Sequence, residues 1–277
     1  MKHLLSVLIF LCSVSLASAT PEYPFFAVCM DTHDSKKRSL DEQSQMLSEL
    51  GFAGMLHFYP NNIPERKATA EKHALKLVTV YMGINLSKPV DPNLGKALAC
   101  LKDSGTMLAL TIEGGKPSDA ALDDKVVQVL REVLNVTEPL KIRVLIYPHV
   151  RSWNETVGDC VRIAKRFPNK EIGVMFNLCH WAAADKTGLE TALRESAPYL
   201  GAITINGMDE PGTWDFNKDG WKRGILPLDE GTFDMNKLLK ILKEIDYHGP
   251  VGLQCWGIPG DVRIHLEKSI KKWKSLP

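Results

Sequence analysis

Eight times along this chain a short apolar or β-branched run gives way to a polar turn and then to a helical stretch. A parallel strand needs a crossover to reach its neighbour, and a helix is the usual crossover, so this repeated order argues for a parallel sheet. Eight such units in 277 residues match a single-domain α/β fold, a closed (β/α)8 TIM barrel. The order also locates chemistry, because barrel enzymes carry it where strands end and the following loops begin. Here those junctions read CMDTHD, LHFYP, YMGIN, TIEGG, IYPHV, FNLCHW, INGMD and LQCWG. They are crowded with His, Asn, Asp, Glu, Gln and Cys.

Strands are expected at Phe25 to Met30, Ala53 to Phe58, Leu75 to Met82, Met107 to Ile112, Arg143 to Tyr147, Ile172 to Phe176, Ala202 to Ile205 and Pro250 to Leu253. Runs such as Met107-Leu108-Ala109-Leu110 suit strands buried on both faces. Helices are expected at Leu40 to Leu50, Pro64 to His73, Leu94 to Leu101, Asp123 to Leu134, Thr156 to Arg166, Leu189 to Ser196, Met235 to Ile245 and Val262 to Trp273. One connection stands out for length, the Gly-, Asp- and Trp-rich loop from Gly207 to Phe233. A long loop on the catalytic face of a barrel is expected to touch substrate.

Lys2 and His3 precede an apolar run from Leu4 to Leu16, and Ala17-Ser18-Ala19 has the small-x-small pattern of a signal-peptidase site. Residues 1–19 are therefore expected to be a cleaved signal peptide and residues 20–277 a secreted or periplasmic barrel without membrane attachment. Bulky Ile9, Phe10 and Leu11 argue against a lipobox at Cys12. The remaining Cys29, Cys100, Cys160, Cys179 and Cys255 are odd in number and irregular in spacing, which is no disulfide framework. Cys29, Cys179 and Cys255, in apolar contexts, are expected as small core residues. With Lys+Arg 34 against Asp+Glu 33, the charge is balanced. No basic stripe suggests nucleic acid, and Lys268, Lys271, Lys272 and Lys274 read as the solvated face of the last helix.

The segments IGVMFNLCHW, AITINGMDE and LPLDEGTFDMNKLLKILKEIDYHGPVGLQ resemble the xylose-isomerase-like sugar isomerase and epimerase barrels, a superfamily that also holds endonuclease IV. The resemblance is one of architecture over the whole mature chain and of motif from about Arg143 onward. It implies a divalent metal held by Glu, Asp, His and Glu at the ends of the fifth to eighth strands. In this chain those places fall on Tyr147, Asn177, Asn206 and Gln254, so no ionic or imidazole ligand is kept at any of them. His180 matches a family residue that touches substrate oxygen.

Hard divalent cations want anionic oxygens, which amides and a phenol do not supply. The same groups donate and accept hydrogen bonds at once, which suits sugar hydroxyls. A metal could instead use His57, His149 and His180 with Glu113 or Asp209, so the cofactor is left open. Glu113 is the expected general base, against the plainer reading of a strand-end carboxylate capping its loop. His149 and His180 are expected to polarise or protonate oxygens, against that of hydrogen-bonded structural histidines. His57, Tyr147, Asn177, Asn206, Asp209, Arg223, Gln254 and Trp256 are expected to bind substrate; Lys222 beside Arg223 would meet an anionic group or only solvent. Asp31, His33 and Asp34 form a weaker cluster. Trp153, Trp181, Trp214, Trp221 and Trp256 all lie where a flat ring could meet a sugar face or simply pack.

The expectation is a sugar isomerase- or epimerase-like enzyme abstracting a proton next to a carbonyl, with a small carbohydrate as partner. A non-catalytic carbohydrate-binding barrel, or a lyase or hydrolase on oxidised glycosides, stands as the alternative. Endonuclease activity would need a metal cluster and a basic groove.

Overall fold

The computed structural model describes residues 22–169, 171–185 and 187–277, so the expected signal peptide and Cys12 lie outside the described residues. The strands are β1 (Phe25–Val28), β2 (Gly54–Phe58), β3 (Lys76–Asn85), β4 (Met107–Glu113), β5 (Val144–Ile146), β6 (Ile172–Asn177), β7 (Leu200–Ile205) and β8 (Val251–Gln254). Each pairs in parallel with the next, and β1 closes on β8 from Phe25↔Val251 to Val28↔Gln254. All eight expected strands form, and the (β/α)8 barrel is closed.

Around it lie α1 (Leu40–Leu50), α2 (Ile63–Lys72), α3 (Leu94–Leu98), α4 (Asp123–Thr137), α5 (Val157–Ala164), α6 (Leu178–Ala184), α7 (Leu189–Ser196), α8 (Phe216–Asp219), α9 (Met235–Glu244) and α10 (Val262–Lys274). Local chemistry sets their ends. Ser39 and Glu42 form a capping box that opens α1, and left-handed Gly51 closes it. Thr156 and Asp159 do the same at the start of α5. No described helix is long and apolar enough to cross a membrane.

Strand residues alternate between two cores. Outward residues such as Ala27, Met55 and Leu108 pack against helices. Inward residues fill the barrel: Phe26, Val28, Leu56, Ala109, Leu145, Tyr147, Met175 and Ala202. Gly252 leaves room for Phe26, since a Cβ there would come within 2.6 Å of the ring. Emptying that space with Phe26→Ala would cost about 3–5 kcal/mol.

Three departures from the expected elements matter for the site. β3 runs on to Asn85, β5 ends before Tyr147, and an extra helix, α6, starts immediately after Asn177. The five described cysteines are free thiols.

Candidate active site

The C-terminal end of the barrel opens into a cavity of about 280 Å³. Its polar wall is Cys29, Tyr81, Tyr147, His149, His180 and Gln254, and its apolar wall includes Val28, Leu56, Phe58 and Ile225. Trp221 and Trp256 border it from loops. Cys29, expected as plain core, thus faces the cavity, because its backbone leaves β1 with a left-handed φ of 56°.

At the floor, the Tyr147 hydroxyl oxygen accepts hydrogen bonds from Asn177 Nδ2 and from Gln254 Nε2, the latter at 3.1 Å. The backbone fixes both amides. Asn177 Oδ1 accepts from His180 N at 3.0 Å, as the N-cap of α6. Gln254 Oε1 accepts from the amides of Cys255 at 3.0 Å and Trp256 at 3.1 Å. Asn206 Nδ2 donates to the carbonyls of Gly207 at 2.7 Å and Gly224 at 2.8 Å, leaving its Oδ1 buried without a partner.

Above the floor, the rings of His149 and His180 lie 4.1 Å apart between centroids. His180 Nδ1 accepts from Val150 N at 3.2 Å, so its proton sits on Nε2. His149 Nδ1 lies 3.0 Å from the Val150 carbonyl, which can only accept, so this ring carries its proton on Nδ1. The pair therefore presents a basic Nε2 on His149 and a donating Nε2–H on His180. The His149 loop is held by Asn154, fully buried, which accepts from Ile112 N at 2.8 Å and donates to the Tyr147 carbonyl at 2.7 Å.

The long loop after β7 covers this pair. Gly207 and Leu226 exchange backbone hydrogen bonds of 3.0 and 2.7 Å, and a Cβ on Gly207 would strike the Pro227 carbonyl at 1.8 Å. That pinch aims Trp221 at the mouth, edge-on to His180 at 5.0 Å and packed on Phe216 at 4.5 Å.

No titratable group lining the cavity is charged at neutral pH. Burial holds the Cys29 thiol and the Tyr147 phenol in their protonated forms, and raises Tyr81 to about 12. Burial likewise lowers His149, against the opposing pull of the Val150 carbonyl and Glu113. His180 is pushed well below its ordinary value by burial and by His149.

This donor set does not fit the divalent metal of ordinary xylose-isomerase-like barrels. The oxygens of Asn177 and Gln254 are turned onto backbone amides, and their NH2 groups point at the Tyr147 hydroxyl, so the cluster offers a cation donors rather than free oxygens. Tyr147 stays a phenol already accepting two bonds. Only Asn206 keeps an uncommitted oxygen among the four positions, and it is neutral. Among the described residues no group of three or more His, Cys, Asp or Glu side chains is arranged to hold a metal.

The structure brings His149, His180, Tyr147, Gln254 and Trp256 together around the cavity, with Asn177 behind Tyr147 and Asn206 under the loop. It moves four expected residues elsewhere. Glu113 ends β4 solvent-exposed at the rim, its carboxylate against Gly83, and is absent from the cavity wall. His57 points away from the mouth, because Leu56 and Phe58 take the inward positions of β2; its ring bonds Asn61 O and meets the buried Arg66 of α2 at 3.5 Å. Asp209 and Arg223 pair with each other at 2.6 Å inside the long loop and so stabilise it. A metal site combining His57, His149 and His180 is thereby excluded on geometry.

Of the tryptophans, only Trp221 and Trp256 reach the mouth; Trp153 is fully buried on the Asp119 carbonyl, Trp181 bonds Thr187 O, and Trp214 packs on Gly224. Asp34 is taken up by Arg38, which also bonds Asp261, while His33 accepts from Gly257 N, so that cluster ties the first loop to the last. Trp221, read as a ring that could meet a sugar face or simply pack, stands at the mouth, whereas Asn154 was not anticipated as part of the site. Asn154 stands in the loop between β5 and α5, and its sequence context carries no signal of the bridge it makes.

A closed parallel barrel with its polar cavity at the C-terminal mouth defines the class, and residues 44–273 match the xylose isomerase-like TIM barrel family. The chain belongs to that family. No curated protein matches it in sequence. Among solved structures it resembles 3-keto-D-glucoside 4-epimerase from E. coli at 17% identity and TM-score 0.68, covering 91% of this chain and 99% of that one. It also resembles D-allulose 3-epimerase from Methylomonas sp. in complex with D-allulose, at 13% identity and TM-score 0.69 over 94% and 99% of the two chains. The IOLI protein, solved with a zinc atom bound, matches at 13% identity and TM-score 0.67 over 90% and 96%.

Proposed function

We propose that the chain is a sugar isomerase- or epimerase-like enzyme that moves a proton next to a carbonyl of a neutral carbohydrate without using the metal position of its relatives. The observation that carries this is the His149–His180 pair with opposite tautomers in an uncharged cavity. His149 Nε2 takes the proton from the carbon beside the carbonyl, and the bonding pair moves onto the carbonyl oxygen as an enolate. His180 Nε2–H bonds that oxygen as charge develops, where a buried donor is worth most. Return of the proton to the former carbonyl carbon, with the adjacent hydroxyl passing its proton to the enolate oxygen, gives isomerisation; return to the same carbon after the enolate has turned its other face to His149 gives an epimer. Tyr147 and Gln254 orient hydroxyls, and Trp221 gives the pair an apolar wall on its loop side.

Glu113, at the rim, acts through His149 by opposing the loss of its basicity. An uncharged wall favours free, oxidised or glycosidic sugars over sugar phosphates, whose dianion would be buried without a partner. Export through the leader expected at residues 1–19 agrees with such a substrate. Sugar-acting epimerases of the same fold support the reading.

The test is turnover across matched neutral and phosphorylated sugars, read by NMR of the products. Conversion of a neutral panel member, lost in His149→Ala, is expected. Binding of sugars with no conversion would make the chain a carbohydrate-binding barrel, and conversion confined to phosphates would overturn the uncharged-wall argument.

A further inference from the structure

Beside the mouth runs a larger groove of about 650 Å³, between the long loop and the β8–α10 connection. It shares Trp221, Ile225 and Trp256 with the mouth cavity, so the two spaces adjoin along these three side chains. The two large apolar side chains left exposed among the described residues, Trp256 at 43% and Ile264 at 59%, both line it. Trp256 is a fixed platform: its amide is held by Gln254, its ring meets His33 edge-on at 5.0 Å, and the next amide bonds His33. On the far wall His265 is buried to 6% exposure, with Nδ1 lacking any hydrogen-bond partner. Lys222, Asp261 and the paired Lys268 and Glu230 give the rim donors and acceptors of both signs.

Flat apolar walls with a polar rim are the surface a pyranose or aryl ring takes, carbon face inward and hydroxyls outward. We propose that this groove is a second subsite, holding the aglycone or second sugar ring of a glycoside whose reacting ring occupies the mouth. The inference rests on the proposed function only in taking the mouth as the sugar site. It narrows the substrate class from neutral carbohydrates at large to a glycoside.

Isothermal titration with free glucose, galactose and xylose, each against its phenyl glycoside and a disaccharide carrying it at the non-reducing end, tests the subsite without requiring turnover. At least one glycoside should bind on the order of ten-fold more tightly than its free sugar, as expected for burial of one further ring. Ile264→Lys, on the surface and outside the mouth, should abolish that gain and leave free-sugar affinity unchanged. A gain that survives Ile264→Lys, or no glycoside exceeding its free sugar, overturns the subsite. Concentration-dependent dimers in sedimentation that Ile264→Lys dissolves would also overturn it, since a second copy would then fill the groove. Tight glycoside binding without conversion would keep the subsite and remove the catalytic reading, so the two failures are distinct.

Discussion

The rings of His149 and His180 lie 4.1 Å apart between centroids, tilted by 38°, and Val150 bonds one through its carbonyl and the other through its amide. One residue thus sets two tautomers in opposite senses. Replacing His149 by Ala removes the base, and His180→Asn keeps an acceptor for Val150 N while its shorter amide cannot place a donor where Nε2–H stands. Each should lower turnover about a hundred- to ten-thousand-fold, while sugar affinity changes by less than about ten-fold. Two variants with parent-like kcat would place the chemistry elsewhere in the mouth.

The pH dependence of rate should follow the same pair. Burial lowers His149 from its ordinary value, so its neutral, active form is complete through neutral pH. The kcat/KM profile is expected to be flat above pH 6.5 and to fall only on the acid side. A rise in rate between pH 7 and 9 would assign the base to a group with a higher pKa.

Stability should fall in acid for a related reason. His265 is buried and lowered to about 4, so between pH 6.5 and 4 the unfolded chain binds a proton that the folded chain does not. Its contribution is intact above 6.5 and is lost as pH drops to 4, by an amount on the order of 3 kcal/mol. Urea midpoints measured across this range should decline toward acid, and His265→Gln should flatten part of the decline. An unchanged slope in that variant would show that other groups govern it.

Asn154 ties the end of β4 to the loop that carries His149. Asn154→Ala strands a buried amide and a buried carbonyl, a loss of about 2–4 kcal/mol. Urea denaturation should show it, with kcat falling more than affinity because the His149 loop is released. A stability loss under 1 kcal/mol would contradict the bridging role.

Metal should be dispensable. With two of the four amide and phenol oxygens committed to backbone amides and a third already accepting two bonds, dialysis against chelator should leave sugar affinity, turnover and melting temperature unchanged. Stoichiometric Mn²⁺ or Zn²⁺ that survives such dialysis, with activity lost on its removal by stronger chelation, would sink this part of the account.

The strand–helix order was legible because each unit carries its own punctuation, such as Ser39 and Gly51 around α1. Tyr147, Asn177 and Gln254 were legible as mouth residues because they sit at strand ends or one residue beyond. His57 was not, for a physical reason: both faces of a barrel strand are apolar, so hydrophobicity does not report which residues of GMLHF point inward. Asp209 and Arg223 were misplaced because an ion pair closed inside one loop leaves no periodic trace. The role of Val150 was invisible for a similar reason, since it acts through its backbone alone.

The central claim is that the mouth moves a proton next to a carbonyl, and solvent exchange tests it most directly. Incubating a converted sugar with the chain in D2O and following the hydrogen beside its carbonyl by NMR should show deuterium entering that position at a rate comparable to turnover. The exchange should vanish in His149→Ala and be slowed strongly in His180→Asn. Conversion without deuterium entering product or recovered substrate, or exchange unaffected by loss of His149, would contradict the account.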